Sequence, residues 1–177
     1  MQRWRVPLGF VCAALFFVFA RPQFLTLVIG AAVALPGLAL RAWATGHLRK
    51  NDALATTGPY AYTRNPLYLG SFLMGAGFTI AAGRWFLGAI FVAFFLGIYL
   101  PVMRVESATL TELFGERYQR YAQAVPLFLP GLSRYESSDG ISSKFDARLY
   151  QRYREYQAAI GLILAWVLLA LRAYYIK

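Results

Sequence analysis

WFLGAIFVAFFLGIYLPVM, residues 85–103, runs for nineteen residues without a charged side chain. As an α-helix it would be about 28 Å long at 1.5 Å per residue, which matches the roughly 30 Å hydrocarbon core of a bilayer. Four further apolar segments lie around it. Leu67–Ala82 precedes it across the polar corner Gly83-Arg84, Phe24–Trp43 and Val6–Ala20 are joined through Arg21-Pro22, and Ala158–Tyr174 closes the chain. In lipid each span must satisfy its own backbone hydrogen bonds, which a helix does. The sequence therefore predicts an all-α integral membrane protein with five transmembrane helices, the first four arranged as two short hairpins.

Composition agrees with that reading. Of 177 residues, 59% are hydrophobic and only 15% charged, against about 25% charged in a soluble domain. The net charge of +10 does not indicate nucleic acid, because the Lys and Arg residues flank apolar segments instead of covering a basic domain. With the N-terminus inside, fourteen of the 18 Lys and Arg residues and all eight acidic residues fall on the cytoplasmic side. That asymmetry predicts a cytoplasmic N-terminus, a multi-pass topology and an active site facing the cytoplasm. A secretory signal is the competing reading of Val6–Ala20, but Arg21-Pro22-Gln23 is not a small-residue cleavage site and another span follows at once. Cys12 and His47, single residues of their kinds, leave no disulfide framework and too few ligands for a Cys- or His-based metal centre. No span contains an acidic residue, which counts against a pump or channel.

Two inter-span stretches remain. Residues 45–66 end in Gly-Pro and Asn-Pro turns. In residues 104–157, the apolar positions Leu110, Leu113, Phe114, Tyr118, Tyr121 and Val125 predict a one-sided helix over Glu106–Val125. A Ser- and Gly-rich connection, 131–143, leads to a basic amphipathic helix carrying Lys144, Arg148 and Arg152 beside Phe145, Leu149, Tyr153 and Tyr156. Such a helix lies on the inner leaflet or takes a partner. The chain thus divides into an N-terminal hairpin (1–45), a central region (46–130), and a linker, interfacial helix and last span (131–177).

The residues 58–70 hold Tyr60, Tyr62, Tyr68, Arg64 and Asn65 between prolines at the membrane face. They read either as an interfacial belt or as a pocket for a small charged aromatic ligand, with Arg64 for a carboxylate and tyrosine faces for a ring or cation. Order and spacing add weight to the second reading. GHLRKNDALATTGPYAYTRNPLYLG (46–70), followed by ESATLTELFGERYQRYAQAVPLFLP (106–130), resembles the isoprenylcysteine carboxyl methyltransferases and the related phospholipid methyltransferases. The first motif matches at Gly58, Pro59, Tyr60, Arg64, Pro66, Tyr68 and Gly70, with Asn65 in place of histidine. The second matches at Glu106, Leu110, Phe114, Gly115, Tyr118, Tyr121, Val125 and Pro126, with Ser107 in place of a second glutamate.

The resemblance implies methyl transfer from S-adenosylmethionine held without a Rossmann domain. Carried over residue by residue, it implies cofactor contacts from Leu54, Ala55, Tyr60, Asn65, Pro66, Leu67, Tyr68 and Glu106, with His47 and Arg64 as neighbours. It also implies a substrate-side arginine one turn before Glu106. Val102 stands there, so Arg104 is taken with Glu106 as the catalytic pair. The expected acceptor is a carboxylate on a lipophilic, isoprenylcysteine-like molecule entering from the bilayer among membrane lipids. Phospholipid amines and small thiols are the alternatives within the enzyme class. A non-catalytic membrane scaffold is the alternative outside it, and Asn65 and Ser107 are the features that favour it.

Overall fold

The computed structural model describes residue 16 and residues 18–49, 53–136 and 144–175. Among them every regular element is helical. We label the helices α1 (Phe24–Thr45), α2 (Pro66–Ala81), α3 (Trp85–Phe114), α4 (Glu116–Ala124), α5 (Ala147–Arg152) and α6 (Tyr156–Tyr175), with a 3₁₀ turn at Gly58–Ala61. Helices α1, α3 and α6 are long and apolar enough to cross a membrane, whereas α2 is a shorter apolar helix of 16 residues. The chain is an integral membrane protein by this measure. Most of the first expected span, with Cys12, lies outside the described residues; its end is helical at Phe16, Val18 and Phe19.

Helices α1 and α2 are antiparallel and approach closely because glycines face each other. A Cβ on Gly37 would meet the Gly70 carbonyl oxygen at 2.7 Å, and Gly30 and Gly77 oppose each other in the same way seven residues on. Small residues are what bring helices together in lipid, where apolar side chains gain nothing by leaving their surroundings. The large apolar residues instead face outward, among them Phe24, Leu25, Leu35, Val92, Ile163, Leu164 and Leu168. The α2–α3 corner closes on Gly83, whose φ of +69° suits glycine, with the Arg21 amide donating to the Ala82 carbonyl at 2.8 Å.

Helix α3 has 30 residues, about 45 Å at 1.5 Å per residue. It therefore overshoots the bilayer by several turns and carries Glu106, Ser107 and Leu110 beyond it. The expected helix over Glu106–Val125 is divided accordingly. Its first half continues the span, and Gly115, at φ +53°, breaks it before α4. The expected basic helix is likewise interrupted. Helix α5 has six residues, and the turn at Tyr153–Glu155 contains Arg154 at φ +54° before α6 begins.

The C-terminal segment docks on the end of α1. Phe145 packs against Gly46, leaving no room for a Cβ, and the Asp146 amide donates to the Gly46 carbonyl at 2.9 Å. Glu155 is buried and takes a two-pronged bond from Arg41, Nε to Oε1 at 2.5 Å and Nη2 to Oε2 at 3.1 Å. Arg41 also donates to the Ser71 hydroxyl and the Leu67 carbonyl. Gly70 makes this possible, since a Cβ there would strike the Arg41 stem at 2.5 Å.

Candidate active site

Two polar segments, distant in sequence, are laced together where α1, α2 and α3 end. The Arg64 amide donates to the Pro126 carbonyl at 2.9 Å, the Gly131 amide to the Tyr62 carbonyl at 2.7 Å, and the Tyr135 amide to the Ala61 carbonyl at 3.0 Å. Side chains reinforce the lacing: the Thr63 hydroxyl donates to Phe128 O at 2.9 Å, and the Tyr121 hydroxyl to Tyr60 O at 2.7 Å. Asn65 belongs to this set, its amide Nδ2 donating to the Leu127 carbonyl at 2.8 Å. Pro66 then starts α2, where its missing N–H costs nothing.

The lacing walls a cavity of about 600 Å³ between residues 48–68 and the overhanging part of α3 with α4. Leu54, Ala55, Tyr60, Arg64, Asn65, Pro66, Leu67, Tyr68 and Glu106 all line it. Two expected site residues do not. His47 is buried behind the Gly58 turn, its Nδ1 3.2 Å from the Thr57 hydroxyl and its ring edge-on to Trp43 and Phe145. Gly58, at φ +60°, leaves the space that this ring fills. His47 thus supports the loop that carries Tyr60. Arg104 is exposed and outside the lining, because two residues along a helix is a rotation of about 200° from Glu106.

Inside the cavity, the Tyr68 hydroxyl donates to Glu106 Oε1 at 2.7 Å. Arg64 Nη1 reaches the Tyr118 hydroxyl at 3.4 Å, and that hydroxyl donates to Ser107 Oγ at 2.8 Å. Arg64 Nε is buried with no hydrogen-bond partner among the described residues. A serine at 107 therefore leaves Arg64 facing a neutral hydroxyl pair, with its charge available to an anion. Burial, and after it the charge of Glu106, hold the Tyr60 phenol well above its ordinary value; burial and the neighbouring Tyr60 do the same for Tyr121. Both stay protonated, as hydrogen-bond donors and ring surfaces rather than bases.

Arg41, Ser107, Tyr118 and Tyr121 also line the cavity, and none was a site residue on sequence grounds. For Tyr118 and Tyr121 the sequence did contain a signal, since both lie within the second motif. Arg41 carried none beyond an arginine at a span end, where snorkelling is the ordinary reading. From Tyr68 a row of rings runs between α2 and α3. Tyr68 and Tyr99 lie 5.3 Å apart, Tyr99 and Phe95 4.5 Å, and Phe95 and Phe72 5.0 Å.

The donor set suits S-adenosylmethionine. An arginine with an unmet N–H can take a carboxylate, Glu106 an ammonium, and tyrosine faces a sulfonium or an adenine ring. Among the described residues no three His, Cys, Asp or Glu side chains are grouped to hold a metal ion.

Comparison with known proteins gives a consistent picture. The sequence profile of the phospholipid methyltransferase family matches residues 24–117, more than half of the chain. The cobalt-zinc-cadmium resistance protein CzcN of Cupriavidus metallidurans is 34% identical over 142 residues, 75% of this chain and 64% of that protein. The nickel-cobalt-cadmium resistance protein NccN of Alcaligenes xylosoxydans xylosoxydans is 37% identical over 89 residues, 50% of this chain and 41% of its own length. Protein-S-isoprenylcysteine O-methyltransferase of Schizosaccharomyces pombe is 31% identical over 81 residues, 46% of this chain and 34% of its own. The chain thus spans less than two thirds of each of these relatives. No solved structure matches.

Proposed function

The chain belongs to the phospholipid methyltransferase family, and on that premise we propose that it is an S-adenosylmethionine-dependent methyltransferase acting on a carboxylate of a lipophilic, isoprenylcysteine-like acceptor. The observation that carries this reading is the convergence of residues from both motifs on one cavity where the spans end. S-adenosylmethionine, when bound, supplies an electrophilic methyl on a sulfonium. Arg64, Glu106, Tyr60 and Tyr68 would hold it by its carboxylate, ammonium and cationic centre, while Leu54, Leu67 and Leu110 exclude water from the ring.

Methyl transfer to the acceptor's carboxylate oxygen would form the new bond to the methyl carbon as the carbon–sulfur bond breaks, with the electron pair leaving on sulfur. No proton moves, so the chain needs no general base. Its contribution is positioning the two reactants and stripping water from the nucleophile. That fits Tyr60 and Tyr121, which burial keeps protonated. The ring row from Tyr68 to Phe72 supports an approach for the acceptor's apolar tail from the bilayer. Five spans with a cytoplasmic N-terminus put this cavity on the cytoplasmic side, the arrangement that the bias in basic residues favours.

The family description favours a second acceptor, a phospholipid amine. The names of two relatives join metal resistance to either acceptor only through what a methylated membrane component would change. Membranes containing the protein, given methyl-labelled S-adenosylmethionine with farnesylcysteine or phosphatidylethanolamine, distinguish the acceptors. Label released by mild alkali as methanol identifies a carboxyl ester. Alkali-stable label in lipid identifies amine methylation and overturns the carboxylate reading.

A further inference from the structure

At the other end of the helices lies a second cavity, of about 440 Å³, lined by Val18, Phe19, Arg21, Arg84, Phe86 and Arg172. Three guanidinium groups among six described lining residues make an unusual concentration for a chain with 15% charged residues. They come from three places in the chain: the segment before α1, the corner before α3, and the last turns of α6. Arg172 is fixed by backbone, its Nε donating to the Ala20 carbonyl at 2.8 Å and its Nη2 to the Val18 carbonyl at 2.6 Å. These carbonyls lie at the end of the helical residues Phe16, Val18 and Phe19, where backbone acceptors are left open by the helix itself. The side chains of Arg21 and Arg84 make no hydrogen bond or ion pair with any described residue.

Among the described residues, no acidic side chain pairs with Arg21 or Arg84. The acidic residues are Asp52, Glu106, Glu112, Glu116, Glu136, Asp139, Asp146 and Glu155. None precedes residue 52, none falls between 53 and 105, and none follows 155, so no acidic side chain lies in the described segments that reach this end. The buried ion pair of Arg41 with Glu155 is at the opposite end. Within three residues in sequence of these arginines, Phe24, Trp85, Tyr174 and Tyr175 are all strongly exposed, and exposed Trp and Tyr mark the level where headgroups meet acyl chains. Val18, Phe19 and Phe86 supply an apolar wall beside the three charges.

We propose that this cavity binds the phosphate of an anionic phospholipid, held between Arg21, Arg84 and Arg172 with its acyl chains along Phe19 and Phe86. Arginine's planar donors suit a phosphate diester, and basic pockets between membrane helices bind headgroups in this way. Such a lipid ties α6 to the corners that begin α1 and α3. The site is separate from the motif-lined cavity and stands whether or not that cavity binds S-adenosylmethionine.

The test uses detergent-purified full-length protein, with native mass spectrometry to count retained lipid and thermal unfolding to read stabilisation. Phosphatidylglycerol, phosphatidylcholine and inorganic phosphate are compared on wild type, Arg21→Gln/Arg84→Gln and Arg21→Lys/Arg84→Lys. The expected result is retention of phosphatidylglycerol by wild type with a rise of several degrees in Tm. The glutamine pair should weaken retention about tenfold or more, and the lysine pair should keep most of it. Equal retention by the glutamine pair and wild type overturns the site. Equal stabilisation by phosphatidylcholine overturns the need for an anionic headgroup, and equal stabilisation by inorganic phosphate overturns the lipid.

Discussion

Arginines occur at both ends of this bundle, and their circumstances differ. At the motif end Arg41 is held on both prongs by Glu155 and further by Ser71 and the Leu67 carbonyl, while Arg64 sits against a tyrosine hydroxyl with one donor unmet. At the other end Arg21, Arg84 and Arg172 share a cavity with no acidic side chain among its described lining residues. A guanidinium satisfied by its own chain serves the fold. One left unsatisfied at a cavity is available to a ligand. On this criterion Arg41 is structural, Arg64 serves the cofactor cavity, and Arg21 and Arg84 serve a lipid beside an Arg172 that the backbone holds in place.

Substitutions can break that division, beginning with the largest effect. Arg41→Met strands the buried Glu155 carboxylate, and losing one partner of such a pair costs about 3–5 kcal/mol. Thermal unfolding in detergent should show a large loss, much of it recovered by Arg41→Met/Glu155→Leu; an unchanged Tm would remove Arg41 from the structural class. Glu106→Ala removes a charged hydrogen-bond partner from the cavity and should lower methyl transfer about a hundredfold, roughly 2.7 kcal/mol, with little change in Tm. Asn65→Ala loses the bond to Leu127 and should destabilise by about 1 kcal/mol. Asn65→His keeps a ring N–H donor and should lose less, as denaturation midpoints would report.

The tyrosines supply a pH test. Tyr60 and Tyr121 have raised pKa values in the fold, so the folded state holds its phenolic protons more tightly than the unfolded chain. Their contribution is complete below the unfolded value of about 10 and is lost as pH rises above it. Stability should be level across neutral pH and fall beyond about 10. Tyr121→Phe should soften that fall; an identical fall in the variant counts against the assignment. The smallest effect belongs to the distal arginines. In lipid-free detergent, Arg84→Gln should move stability by no more than about 0.5 kcal/mol, because its side chain bonds to nothing described.

Much of this architecture was legible in the sequence. The helices α1, α3 and α6 follow from long apolar runs, and the short α2 from a shorter one. The family resemblance carried by the two motifs also implied the residues that wall the cavity, from Leu54 to Glu106. What escaped depends on geometry that spacing does not encode. Glu106–Val125 reads as one amphipathic helix, but only the fold shows Gly115 turning it and α3 extending through its first half. His47 lies next to the motif in sequence, yet Gly58 admits its ring to the back of the loop. Asn65, which on sequence reads as a departure from the motif, is engaged by a carbonyl 62 residues away. The pairing of Arg41 with Glu155 spans 114 residues and lies beyond any local pattern.

The central claim is that the cavity walled by both motifs holds S-adenosylmethionine, and calorimetric titration of the cofactor into detergent-purified protein tests it most directly. Wild type and Arg84→Gln should bind it saturably with equal affinity, while Glu106→Ala and Arg64→Met, folded by the same thermal criterion, should lose most of that binding. Absence of binding to folded wild type, or binding that both cavity variants retain in full, would contradict the account.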